Sequence, residues 1–391
     1  MIPRTLATTL RSLAGQYPVL TLTGPRQSGK TTLCRSVFPD KPYVNLESPD
    51  VRAFAQQDPR GFLAAYPEGA IFDEIQRAPE LLSYLQPLVD AENRPGRYIL
   101  TGSQQFEVMS RLSQSLAGRS ALLKLLPLSI EELAASAALP PVDHLLYAGF
   151  YPRIHAHALD PTQALGDYLE TCVERDMRQL IAIKDLTAFE KFLRLCAGRA
   201  GQMLNLQSLA NDAGVSHTTA RNWLTLLEAS YIVHLLPSWH TNISKRQIKA
   251  PKLYFYDVGL AAYLLGIENL RHLERHPLRG QLFENLIVID ALKFRYHRGK
   301  RSNLYFWRDA RGNEIDLLIE NGPDVALVEI KAGATIVGEW FKPLERVAEK
   351  LPRPPIARAL VYGGGERQRR SAAEVWRYAD VAELMQRIEM Q

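Results

Sequence analysis

The sequence predicts an α/β chain. It has a parallel sheet whose first strand feeds a phosphate-binding loop, then a helical middle region, then a mixed α/β C-terminal domain. Three observations predict this. "VLTLTGPRQSGKTTL" (19–33) reads as strand, glycine-rich loop and helix. Residues 1–130 alternate β-rich apolar runs with helical stretches, the pattern of βαβ units and of a parallel sheet covered on both faces. Residues 160–235 then carry 3.6-residue periodicity with few strand signals, and strands return from 253.

The elements follow in order. "PVLTLTG" (18–24), "YVNLE" (43–47), "AIFDE" (70–74) and "RYILTGS" (97–103) are the expected strands of the first sheet, and "PELLSYLQPLVDAE" (79–92) is an expected helix between them. "NLQSLANDAGVSHTTARNWLTLLEASYIVHLL" (205–236) has a helix-turn-helix rhythm. Gly214 breaks the first helix, Ser216 caps the second, and "YIVHLL" reads as the strand of a wing. "KLYFYDVG", a helix near 279–296, the strands "NLYFWRD", "EIDLLIE" and "VALVEIKAG", and two further strands in "ARALVYGGG" and "VWRYADV" complete the chain. The expected divisions are 1–135, 136–250 and 251–391.

Composition bounds the function. The longest apolar runs, such as "ALLKLLPL" (121–128), fall short of the ~20 residues of a membrane span. "MIPRTLATTLRSLAG" lacks the apolar core of a secretory signal. Cys34, Cys172 and Cys196 lie far apart with no CxxC, which fits a reduced, cytoplasmic protein without disulfides or zinc. Residues 1–150 hold 14 basic and 14 acidic side chains, so the net charge of +5 lies entirely beyond them. Within 245–301 there are 12 basic and 5 acidic residues, an electrostatic footprint for nucleic acid or a solvated basic surface.

Gly24-Pro25-Arg26-Gln27-Ser28-Gly29-Lys30-Thr31, with Thr32 behind it, fits G-x-x-x-x-G-K-[ST] between a strand and a helix. The glycines let backbone N–H groups curl toward phosphates, and the helix adds its positive dipole end. Lys30 is expected to reach the terminal phosphates of ATP, and Thr31 to ligate Mg²⁺. Asp73 and Glu74 end an apolar strand, where ligands of such sheets bind. Asp73 is the expected Mg²⁺ partner and Glu74 the general base. A hydroxyl in Thr101-Gly102-Ser103 suits orientation of the attacking water. Arg119 in "SLAGRSALLKLLPL" suits transition-state stabilisation in a neighbouring subunit, or is a plain surface arginine; Arg111 is its rival.

The recognition helix of the helix-turn-helix offers His217, Arg221 and Asn222 as base-reading side chains, so it reads as a DNA-binding or a packing module. In the C-terminal part, Glu329 and Lys331 share one strand face, Asp316 sits on the neighbouring strand, and Glu284 joins from a helix. Two carboxylates with a lysine suit Mg²⁺-dependent phosphodiester cleavage, with Glu284, Asp316 and Glu329 as ligands, or form a mutual ion-pair network.

Taken together, "GPRQSGKTTL", "IFDEIQ", "LTGSQ", "SLAGR" with "LLPLS", "KLYFYDVGLAAYLLG", "GQLFENLIV", "FWRDARGNEIDLLI" and "VEIKAG" resemble bacterial and archaeal AAA-type ATPases with a C-terminal domain of unknown function. The last three resemble the core of the PD-(D/E)XK nuclease superfamily. The resemblance implies a P-loop NTPase (AAA+) core, a winged-helix region and a restriction-endonuclease-like domain. It implies Walker A roles for Lys30 and Thr31, Walker B roles for Asp73 and Glu74, a sensor role for Ser103 and an arginine finger in Arg119. Asp316, Glu329 and Lys331 match the nuclease triad. No clear sensor-2 arginine follows the core, Arg175 and Arg178 being the nearest. The expected protein is an ATP- and Mg²⁺-using hexamer that acts on DNA rather than RNA. Competing with it are a nucleotide-dependent switch or scaffold in signalling or defence, and an RNA-directed ATPase.

Overall fold

A computed structural model describes residues 2–103, 116–174, 186–240 and 250–391. Arg111, Arg175 and Arg178 lie outside the described residues. The first sheet comprises β1 (Val19–Thr23), β2 (Tyr43–Asn45), β3 (Ile71–Asp73), β4 (Tyr98–Gly102) and β5 (Ser120–Lys124). All pairings are parallel, in the order β2-β3-β4-β1-β5. Neighbouring residues of each strand feed opposite faces. Val19, Phe72 and Tyr98 enter one core, while Leu20, Ile71 and Ile99 enter the other. The expected strands and their two-sided burial are therefore present. Because β4 separates β1 from β3, the end of β4 lies between the loop after β1 and the acids after β3.

In the middle region, helices Leu206–Ala213 and His217–Ala229 are divided at Gly214, which holds φ +79°. Ser216 Oγ accepts from Thr219 N at 3.0 Å, the cap the sequence signals. Of the base-reading candidates, Arg221 and Asn222 are exposed and His217 is half-buried. β6 (Val233–Leu236) follows and pairs antiparallel with β7 (Lys252–Phe255), so this ladder crosses the expected division at 250.

The C-terminal sheet holds β8 (Leu304–Arg308), β9 (Glu314–Asn321), β10 (Asp324–Lys331), β11 (Ala357–Tyr362), β12 (Gln368–Arg369) and β13 (Glu374–Arg377). The order is β12-β13-β11-β10-β9-β8. β8, β9 and β10 run antiparallel, while β10, β11 and β13 are parallel. Helix Lys342–Ala348 covers one face through Leu344 and Val347. Helix Arg279–Tyr296 covers the other, and Phe283 and Ile287 share its core with Leu317, Val328 and Ile330. This long helix is buried nearly all round because its far side meets the middle region and residues 126–132. Asn285 exchanges two hydrogen bonds with the Phe255 backbone (2.7 and 2.9 Å). Asp290 accepts from Ile130 N (2.8 Å), and Lys293 donates to Leu128 O (2.8 Å). Among the described residues no helix is long and apolar enough to cross a membrane.

Candidate functional site

The loop after β1 is built by steric necessity. Gly24 holds φ +153°, and a Cβ there would lie 2.0 Å from Leu125 O; Gly29 holds φ +90° at the helix entrance. Lys30 opens helix Lys30–Val37, is 5% exposed, and donates to its own loop's carbonyls at Gly24 (3.0 Å) and Pro25 (2.8 Å). Burial pushes its ammonium below the ordinary lysine value, against the opposing pull of Glu74 and Asp73. Ser28 Oγ is buried without a hydrogen-bond partner. A glycine cradle, a buried ammonium and an orphaned hydroxyl fit an anionic phosphate group. Arg26 leans on Glu47 at 3.7 Å, exposed Gln27 turns toward Cys172 Sγ at 3.7 Å, and Thr32 is exposed.

The acids after β3 converge on this loop. Asp73 Oδ2 accepts from Thr31 Oγ1 and from Tyr43 OH, both at 2.7 Å, and Thr101 Oγ1 donates to Asp73 Oδ1. Glu74 adopts a left-handed backbone (φ +56°), uncommon for a non-glycine residue, which turns its side chain away from Asp73's partners. Its carboxylate accepts from Ser103 Oγ at 3.1 Å and from Gln76 Nε2, and Gln76 also donates to Ser103 Oγ at 3.0 Å. Lys30, Thr31, Asp73, Glu74 and Ser103 are thus brought together.

Arg119 is not among them. It precedes β5 at the amino end of the sheet, while the loop lies at the carboxyl end, about 16 Å away for five residues of strand. Its guanidinium is paired with Asp90 and donates to Ala117 O at 3.1 Å. Within one chain it cannot touch a phosphate at Lys30.

A brace runs from the loop to the long helix. Arg4 donates to Ser28 O and to Leu126 O (both 2.6 Å), and its Nε donates to Glu132 Oε2 (3.1 Å). Glu132, at the third turn position of a capping box opened by Ser129, also accepts from Thr5 N (2.8 Å) and faces His297 Nδ1 at 3.3 Å. Leu126 N donates to His297 Nε2 (3.2 Å).

The C-terminal charges form a second cluster. β9 and β10 bring Asp316, Glu329 and Lys331 together. Lys331 Nζ lies 2.5 Å from Glu329 Oε1 and 3.7 Å from Asp316 Oδ2, and Ile330 N donates to Asp316 Oδ2 at 2.9 Å. Glu284 reaches them through Lys252, whose Nζ is 2.9 Å from Glu284 Oε1, 2.5 Å from Glu314 Oε1 and 3.9 Å from Asp316 Oδ1. Tyr254 OH donates to Glu284 Oε1 at 2.6 Å. Glu329 Oε2 is buried with no partner, as a cation-binding oxygen would be. The set as it stands does not fit a divalent ion: an ammonium lies among the carboxylates, and among the described residues no three acid, imidazole or thiol groups converge as ligands. Burial, reinforced by Asp316, pushes the Glu284 and Glu329 carboxyls well above the ordinary 4.5.

That shift has a direction in pH. The folded chain holds protons on these acids that the unfolded chain has released, so their contribution to stability declines as pH rises from about 4.5 toward neutrality. Glu329→Gln is neutral throughout. It is expected to gain stability relative to the parent between about pH 5 and about pH 8, read as the difference in urea midpoints. A difference that stays flat across that window contradicts the raised carboxyl.

Several contributors carry weak sequence signals. Tyr43 sits beside the acids without a motif, Gln76 ends the "IFDEIQ" stretch with no role assigned by it, and Arg4 precedes the first helix. Glu314 was within reach of reasoning, two residues before Asp316 on the same strand face. Lys252 was hidden because it lies on a strand outside the C-terminal sheet.

Comparison with known proteins adds three domain matches. An AAA domain matches residues 16–134, and two domains of unknown function, DUF8612 and DUF4143, match 140–271 and 279–382. The uncharacterized proteins Rv2008c of Mycobacterium tuberculosis and Mb2031c of Mycobacterium bovis are each 34% identical over 335 residues, 85% of this chain and 74% of theirs. Among solved structures, the Walker-type ATPase PABY2304 of Pyrococcus abyssi is similar over 68% of this chain and 96% of its own, at 17% identity and TM-score 0.44.

Proposed function

This chain, whose residues 16–134 form an AAA domain, belongs to the family of the uncharacterized mycobacterial proteins Rv2008c and Mb2031c, and on that premise we propose that it hydrolyses ATP as an oligomeric ring acting on DNA. The observation that carries the ATP reading is the convergence of Lys30, Thr31, Asp73, Glu74 and Ser103 at the ends of β1, β3 and β4. Thr31, and Asp73 through water, would hold the Mg²⁺ that accompanies ATP, which would supply charge neutralisation. Lys30 exchanges the Gly24 and Pro25 carbonyls for phosphate oxygens, and the loop from Gly24 to Thr32 wraps the phosphates. Glu74 takes the proton of the attacking water, while Ser103 and Gln76 hold its carboxylate in place. Arg119, at the far end of its strand, serves the site of the next subunit in a hexamer.

DNA is supported by the basic excess in 245–301, by exposed Arg221 and Asn222 on a capped helix, and by the nuclease-like grouping of Asp316, Glu329 and Lys331. In this reading 1–135 is the ATPase core, 136–250 a helical and winged-helix region, and 251–391 the nuclease-like domain. A second reading, a nucleotide-dependent scaffold whose C-terminal domain binds without cutting, is favoured by the Lys252 ammonium among the carboxylates.

Phosphate release is the test. Turnover by the full chain is expected to rise several-fold when double-stranded, single-stranded or branched DNA is added at low salt, and to lose that rise as salt screens the contact. Turnover that ignores every DNA, with no binding at low salt, removes DNA from the reading, and an RNA competitor identifies the alternative polymer. Plasmid cleavage in Mg²⁺ or Mn²⁺, lost in Lys331→Ala, separates nuclease from scaffold.

A further inference from the structure

A groove lined by arginines opens at the rim of the C-terminal sheet. It measures about 330 Å³ and lies where residues 355–359 enter β11 and residues 370–373 turn from β12 into β13. Four guanidiniums line it, those of Arg358, Arg369, Arg370 and Arg387, against one acidic side chain, Glu374. Three positive charges are left over, and two remain with a terminal carboxylate at Gln391 counted. Glu374 is itself shared: its Oε1 accepts from Arg387 at 2.8 Å and lies 3.8 Å from Arg369. The acids of the neighbouring helix Val381–Glu389 are neutralised elsewhere, Glu383 by Arg367 and Glu389 by Arg295 and Lys300. Arg358 is half-buried and meets no carboxylate among the described residues.

Two of the guanidiniums are held in place from behind. Gln368 Oε1 accepts from Arg370 Nε (3.1 Å) and from its second nitrogen (2.8 Å), and the Phe341 ring lies 5.4 Å away. Arg387 sits 5.9 Å over the Trp376 ring. Trp376 lines the same groove and is 1% exposed, and its indole Nε1–H has no acceptor among the described residues. A buried donor without an acceptor, beside a surplus of positioned guanidinium forks, suits an anion with several oxygens. Arg358 and Arg369 stand on β11 and β12, two strand spacings or about 10 Å apart. That span matches about three phosphates along one nucleic-acid strand rather than a single phosphate. We propose that this groove grips the phosphodiester backbone of nucleic acid. The inference rests on the nucleic-acid reading and gives it a place. Lys331 pairs with Tyr362, four residues further along β11 than Arg358, so the groove lies about 13 Å from the nuclease-like end of the sheet. Contacts there position a strand without reading its bases.

Fluorescence anisotropy of labelled single- and double-stranded oligonucleotides, titrated with the full chain across a salt series, tests this. Arg369→Glu combined with Arg370→Glu is expected to weaken binding about tenfold or more at low salt. Should that pair fail to fold, Arg369→Gln decides, since its side chain is 86% exposed. It is expected to lower the slope of log affinity against log salt by about 0.9, the loss of one phosphate contact. Parent binding that survives both changes with an unaltered slope overturns the groove and leaves the DNA reading standing. A parent that binds neither DNA nor RNA at low salt overturns both. RNA bound in place of DNA, and lost with Arg369 and Arg370, keeps the groove and discards DNA. Displacement of the oligonucleotide by polyglutamate, or by inorganic phosphate at constant ionic strength, assigns the groove to an acidic peptide or a free phosphate and overturns the proposal.

Discussion

Glu74→Gln is expected to retain nucleotide binding while ATP turnover falls on the order of 10²–10⁴-fold, the usual worth of a general base. The amide keeps the shape of the carboxylate and its place beside Ser103 and Gln76, but it cannot accept the water's proton. Lys30→Ala is expected to lose binding and turnover together, because the ammonium that now rests on the Gly24 and Pro25 carbonyls is the loop's own positive charge. A fluorescent ATP analogue measures binding, and phosphate release measures turnover. Near-parental turnover in Glu74→Gln would put the base elsewhere. The distance of Arg119 from its own loop gives a companion outcome: Arg119→Ala also loses turnover. Mixing it with Glu74→Gln is expected to recover part of the activity, because the second protein lends an intact Arg119 to the first one's intact Glu74. Two inactive variants that stay inactive when mixed would return Arg119 to its Asp90 pair.

Glu132→Ala is expected to lower stability by about 3–5 kcal/mol, the cost of removing one partner from a buried ion pair. Glu132 and Arg4 have side chains 1% and 7% exposed, and the carboxylate also holds Thr5 N and the Ser129 cap. Burial pushes this carboxyl up, but the charges of His297 and Arg4 override it and hold it well below the usual range. Burial pushes His297 itself down, so at neutral pH the charge facing Glu132 is chiefly that of Arg4. The contribution is present above the ordinary carboxylate value and is lost as pH falls through the folded one. Arg4 also grips the Ser28 carbonyl, so Glu132→Ala is expected to weaken nucleotide binding as well. Urea midpoints near neutral pH read the first effect and the ATP analogue the second. A loss below about 1 kcal/mol would mean that solvent reaches the pair.

Legibility followed the range of the interactions. The loop, the strand-end acids and the helix at 279–296 could be read because each is a local pattern with its own chemistry: glycines where φ is positive, apolar alternation, a hydroxyl cap at Ser216. The pairing of Glu329 with Lys331 was legible because strand geometry puts alternate residues on one face. Arg4 meets Glu132 across 128 positions, and Lys252 meets Glu284 across 32. No spacing rule encodes either pair: Glu284 meets Lys252 only where the long helix docks on β7, and Arg4 meets Glu132 only where the N-terminal segment crosses the helix at Ile130–Ala134. The side chain of Glu74 illustrates the same limit. Its acidity and place were evident, but its left-handed backbone was not, because propensity argues against that conformation for a glutamate.

The hydrogen bonds that join Asp290, Lys293 and His297 to the backbone of residues 126–130 have a practical consequence. A fragment cut after the AAA domain would carry bare backbone groups at Leu126, Leu128 and Ile130, all shaped to be covered by a helix that arrives about 150 residues later. Three buried hydrogen bonds thus tie the part that matches an AAA domain to the C-terminal half of the chain. Experiments that dissect it should silence one site at a time by point substitution in the intact polypeptide.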